Sequence, residues 1–231
     1  MTSSPLAVDT LAAEGFQVLV DNFDKLLEGF GKTLQLSLIA GVIALVLGSV
    51  LAAFRVSPVP VLRAIGTTYV NIFRNTPLVL LFILFVYGIP QLGITGDKLF
   101  AFAVGALSVY TAAFVCEALR SGINAVNPGQ AEAARSIGLT FTQNLKLVIM
   151  PQAFRAVIPP LASVFIALVK NSAIAEAFGI TEAAFQMDSL VRDNPASLYW
   201  IFAGTALGYI IIVFTISGVA RVLERRLEVK R

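Results

Sequence analysis

The chain has 231 residues, 57% hydrophobic and only 13% charged, where soluble domains carry roughly 45–50% apolar and about 25% charged residues. A mean hydropathy of +0.83 excludes an ordinary water-soluble fold and calls for a lipid-facing exterior. The net charge of +3 comes without clustered basic and aromatic surface, against nucleic acid; zero histidines and one cysteine, Cys116, remove internal disulfides, multi-cysteine metal sites and the commonest general base.

Residues 1–31 read as an external leader. They lack the basic and apolar regions of a signal peptide, and Asp9, Glu14, Asp21, Asp24 and Glu28 are spread through them. Phe16, Leu19, Phe23, Leu26 and Phe30 recur at helical spacing, which suits either a helix lying along a membrane surface or a partly ordered leader. A bilayer core of about 30 Å needs roughly 20 helical residues to cross it. Thr33 to Phe54, Asn75 to Gly96, Leu99 to Cys116 and Asn194 to Ala220 are uncharged. Ala156 to Val169 is short, and spans if Lys170 sits in a protein-lined cavity and the helix continues to Ala177. The expectation is an all-α integral membrane chain with five spans, near 33–55, 67–90, 98–119, 154–176 and 197–221, in a domain 32–227 followed by a tail 228–231. Gly41 and Gly48, with Ala44 between, and Gly204 with Gly208 sit at spacings that let helices approach closely.

Basic residues set the expected orientation. Arg55, Arg63, Arg74, Arg120, Arg135, Lys146, Arg155, Arg221, Arg225, Arg226, Lys230 and Arg231 collect on one side; Lys25, Lys32, Lys98 and Arg192 lie on the other among more acids. The amino terminus is therefore expected outside and the carboxyl terminus in the cytoplasm.

The loop between the third and fourth expected spans carries two helix signatures. Asn127-Pro128-Gly129-Gln130 supplies a cap, a first-position proline and a glutamine, and Gly138 suits the end of that helix. Thr140 and Gln143 begin a second helix from Phe141 to Met150, with Pro151 as its stop. Two short helices joined by a glycine bend make a protruding element suited to a pocket on a partner protein.

Glu132-Ala133-Ala134, then Gly138, then Val148-Ile149-Met150-Pro151 resemble the EAA loop of permease subunits of bacterial ABC importers, with Val148 and Met150 in place of the usual Ile and Leu. Phe73-Arg74-Asn75-Thr76-Pro77-Leu78, Cys116 to Ile123, Pro151 to Arg155 and Leu168 to Ser172 look like the polar amino-acid branch, closest to actinobacterial glutamate permeases. The resemblance implies the type I ABC importer permease fold, in a bacterial plasma (inner) membrane. It implies an ATPase subunit dimer docked on the 127–151 loop through Glu132, Ala133, Ala134, Arg135, Gly138 and Pro151. Also implied are a second permease chain, identical or homologous, and an extracytoplasmic solute-binding protein. ATP and Mg would sit on the ATPase subunits, since this chain carries no phosphate-binding glycine loop and is expected to bind no cofactor or metal and to be no enzyme itself. Glu132 offers a charge either to a basic partner residue or to the loop's own Arg135, the latter an exposed i,i+3 pair.

Transport sites lie near the midplane, at polar residues that lipid would penalise. Ser163, Val164, Lys170, Asn171 and Ser172 in or beside the fourth span, with Ser108 and Tyr110 in the third, are the expected pathway. Lys170 is placed either to receive a substrate carboxylate or to reach the outer interface. The fourth span has no Asp or Glu between Arg155 and Lys170, which disfavours cationic substrates and leaves glutamate, glutamine or aspartate. The alternatives are a permease for histidine, cystine or a basic amino acid, an ion-coupled carrier, or a lipid-acting membrane enzyme. The carrier would need a paired inverted repeat, and the enzyme a metal or nucleophile site.

Overall fold

The computed structural model describes residues 15–94 and 98–227; the expectations for 1–14 and for the tail 228–231 lie outside them. Residues 15–21 are helical and turn at Asn22 into α1, Phe23–Val56. α2, Pro60–Asn75, is followed by α3, Leu78–Leu92, which widens into a π turn and then tightens into a 3-10 turn. α4 is Leu99–Asn124 and α5 is Pro128–Ser136. α6, Phe141–Phe178, is one 38-residue helix with a π turn at Leu145–Ile149 and a 3-10 end from Ser172. α7, Ala183–Asp193, and α8, Leu198–Leu227, complete the described chain.

Four helices, α1, α4, α6 and α8, are long and apolar enough to cross a membrane; α2 and α3 together make a fifth candidate, bent by 102°. Four expected spans fall inside these helices apart from a residue at an end. The expected span 67–90 is corrected: it is broken where Thr76 (φ −94°, ψ 129°) is extended ahead of Pro77. Proline crowds the preceding residue out of the helical region and offers no N–H of its own. The leader boundary at 31 is also corrected, because α1 runs unbroken from Phe23 into the apolar run. Part of the stripe from Phe16 to Phe30 packs on the protein, while Phe23 stays exposed. Phe16 meets Trp200 edge-on at 5.5 Å, Leu26 is buried with Leu190 and Ile201, and Phe30 meets Tyr209 at 5.3 Å.

The core is the α1–α4 seam, where Leu36, Ala40 and Ala44 meet Ala106, Leu107, Ala112 and Val115. A Cβ on Gly48 would lie 2.6 Å from Val115 Cγ1 and 2.8 Å from the Ala112 carbonyl, so only glycine permits this approach. At the opposite end from the α5 loop, buried Glu182 caps α7 by accepting from Phe185 N–H at 3.0 Å. Its other carboxylate oxygen accepts from Thr33 Oγ1 and Tyr209 O–H, both at 3.0 Å, tying α1, α7 and α8 together.

Candidate functional site

The loop between α4 and α6 is held by local hydrogen bonds. Asn127 Oδ1 accepts from Gly129 N–H at 2.9 Å, with Pro128 in the first turn. Gly138 adopts φ +88°; its N–H bonds the Arg135 carbonyl at 2.9 Å while Leu139 N–H reaches the Ala134 carbonyl at 3.1 Å. That is the paired C-terminal closure that a left-handed residue makes possible. Thr140 and Gln143 form a reciprocal capping box at the start of α6. Asn144, buried, donates to the Ala131 carbonyl at 2.9 Å and fastens the two helices together.

One expectation for this loop is corrected, and one of the two alternatives for Glu132 is not adopted. Pro151 does not stop a helix: α6 continues through it, because it stands in the first turn after the π turn at Leu145–Ile149, where the shifted ladder accommodates a residue without an N–H. The Glu132–Arg135 pair is not formed among the described residues; Arg135 Nε donates to the Ala131 carbonyl at 3.3 Å. Glu132, Ala133 and Arg135 are exposed while Ala134 is buried against the loop's own packing. Around them Ile137 is 80% exposed, Phe141 78% and Leu147 67%. Three large apolar side chains are thus displayed on a polar protrusion.

A half-open cavity of about 270 Å³ lies between α4 and α6. Tyr110, Thr111 and Phe114 line it from α4, and Ser163, Val164 and Asn171 from α6. Of the expected pathway residues, the structure brings Tyr110, Ser163, Val164 and Asn171 together. Ser108 is buried and donates to the Val104 carbonyl at 2.6 Å, and Ser172 is buried and donates to the Val169 carbonyl at 2.8 Å. Lys170 is exposed and does not line this cavity. One turn beyond Phe114, Glu117 is surrounded by three arginines. Arg55 donates to it, Arg74 Nη1 lies 3.6 Å away and Arg120 Nε 3.8 Å away.

Residues 44–229 match the family described as binding-protein-dependent transport system inner membrane components. The chain belongs to that family. This permease is 42% identical to the glutamate transport system permease protein GluC of Corynebacterium efficiens, over 87% of this chain and 93% of the relative. It is 40% identical to the probable glutamine ABC transporter permease protein GlnM of Bacillus subtilis, over 91% and 97%. A solved structure of an amino acid ABC transporter with histidines superposes with a TM-score of 0.81 at 30% identity, covering 98% of this chain and 100% of that one. The permease thus has the expected all-helical type I importer fold.

Sequence reasoning about the permease missed Thr111, next to Tyr110, and Phe114, one helical turn on, which line the same cavity. Arg74 counted there only toward a motif and the orientation, and Glu117 had no role. The available signal was Glu117 itself, an acid inside an apolar helix, which needs a cationic partner.

Proposed function

We propose that this chain is the permease subunit of an ATP-driven importer for a polar amino acid, with glutamate first and glutamine or aspartate next. The relatives support this, being named as glutamate and glutamine permeases. Substrate passes along the α4–α6 cavity, whose hydroxyl, phenol and amide groups suit a small zwitterion. A second permease chain completes the pathway, and a solute-binding protein delivers the substrate. The amino terminus lies outside, and the α5 loop faces the cytoplasm together with Arg55, Arg120 and Arg135.

ATP is bound and hydrolysed by separate subunits. The observation that carries the coupling role is the display of Ile137, Phe141 and Leu147 beside Glu132, which makes no ion pair among the described residues, on a capped two-helix protrusion. Apolar anchors ringed by polar groups are what a partner's groove takes up. Closure of the ATPases would draw two such loops together and rock the attached helices, since α6 continues without a break from the loop into the membrane.

The test is Glu132→Lys in the complete transporter, reconstituted with its ATPase and binding protein. Membrane insertion stays normal, while ATP-driven glutamate uptake and substrate-stimulated ATP hydrolysis are lost. Unchanged uptake would remove the docking role.

A further inference from the structure

The arginine cluster at the inner end of the α4–α6 cavity is over-supplied with positive charge. Three guanidinium groups surround a single carboxylate, Glu117, which leaves an excess of two positive charges. At the edge of an apolar bundle, with Arg74 and Arg120 open to solvent, such an excess attracts an anion. The three arginines are unequal. The Arg55 side chain is 12% exposed and committed to Glu117, whereas Arg74 is 46% exposed. At 3.6 Å Arg74 has an ion-pair contact with Glu117, and it makes no hydrogen bond among the described residues. Its guanidinium carbon sits 5.8 Å from the centre of the Phe114 ring, and Phe114 is part of the cavity wall.

Phe114 and Glu117 therefore fix the Arg74 guanidinium at the cavity with its planar fork of five N–H donors unspent. That fork matches a carboxylate in two-pronged geometry, and stacking on an aromatic ring removes much of the side-chain freedom that binding would otherwise cost. The neighbouring wall supplies only neutral groups, Tyr110, Thr111, Ser163 and Asn171, suited to the rest of a small polar molecule.

We propose that Arg74 is the carboxylate receptor of this permease: its guanidinium, held between Phe114 and Glu117, binds a carboxylate of the amino acid in transit. The assignment rests on the α4–α6 cavity being the pathway. It gives the role first considered for Lys170 to a residue at the opposite end of the cavity, and makes that recognition independent of the solute-binding protein.

The test measures equilibrium binding of glutamate and of glutamine to the intact permease–ATPase complex in lipid nanodiscs, without binding protein, for wild type, Arg74→Gln, Arg74→Lys and Ser163→Trp. Ser163→Trp fills the cavity and abolishes binding of both. Arg74→Gln raises the Kd about tenfold or more, the loss of one charge-assisted contact, and Arg74→Lys recovers part of that loss. Equal weakening of glutamate and glutamine assigns the α-carboxylate, and weakening of glutamate alone assigns the side-chain carboxylate; both support the proposal. Wild-type binding by Arg74→Gln, with Ser163→Trp inactive, overturns the receptor role and leaves the pathway standing. Lysine and glutamine variants equally impaired, with melting temperatures of the complex that fall in parallel, would make Arg74 a packing residue and overturn it too. Normal binding by Ser163→Trp would instead remove the cavity as the pathway, and the receptor with it.

Discussion

The α5 loop and the α4–α6 cavity are built by opposite means. The loop is closed by contacts within a short stretch of chain: Asn127 on Gly129, Gly138 on Arg135, Thr140 on Gln143 and Asn144 on Ala131. Its apolar side chains point outward. The cavity has almost no local closure and exists because α1 and α4 pack at glycine distance and α6 crosses them, with its polar groups pointing inward. A surface meant for a protein partner can be preassembled from capped turns, because the partner supplies the missing burial. A passage for a small polar molecule must be assembled from distant segments, because lipid tolerates no unpaired polar backbone along the way.

This contrast predicts that the loop can lose function without losing structure. Phe141→Asp removes a 78%-exposed ring, so the melting temperature of the purified complex stays near wild type, as for surface changes in general. ATP-driven uptake falls by about tenfold or more, the scale of an interface anchor. A melting temperature that falls as far as the uptake, or uptake that stays normal, would mean the ring serves the fold.

Gly138→Val probes the loop's own closure with a smaller effect. Nothing lies within 4 Å of a Cβ there, so the cost is purely that of φ +88° for a branched residue, about 1–2 kcal/mol. Amide hydrogen exchange from Ala134 to Asn144 should accelerate about five- to thirty-fold, with no change in α1 or α4. Unaltered exchange would show that the loop does not depend on the left-handed turn.

The loop was legible in the sequence because each of its devices is a residue type at a fixed short offset: two caps, one glycine, one buried alanine. The apolar runs were legible because a span needs length and little else. Hydropathy counts charges along the chain but does not say which face carries them. The run from Asn75 to Gly96 hid the 102° bend at Pro77, and of the two places open to Lys170 the sequence could not choose between cavity and interface. Pro151 misled for a related reason. Proline ends most helices, and only the π turn ahead of it allows α6 to continue. Glu117 and Arg74 come from different helices, and no spacing rule joins residues separated by such a stretch of chain.

The same contrast reaches the far end of the molecule, where Glu182 is the long-range counterpart of the loop's local caps. Its carboxylate accepts from α7's own backbone and from hydroxyls on α1 and α8. Burial pushes its pKa above the ordinary 4.5, and the hydrogen bonds from Phe185, Tyr209 and Thr33 only partly oppose this. A carboxyl whose folded pKa exceeds its unfolded value stabilises the fold fully below the unfolded value, and that contribution is lost as pH rises through the folded one. Glu182→Gln cannot titrate. The melting-temperature difference between wild type and Glu182→Gln should therefore favour wild type most at acid pH and shrink as pH climbs above 4.5. The amide also sets an N–H₂ donor where Thr33 and Tyr209 donate, so a pH-independent loss of about 1 kcal/mol underlies the trend. A difference that widens with pH would show that the ionised carboxylate is the favoured form, its three donors outweighing burial.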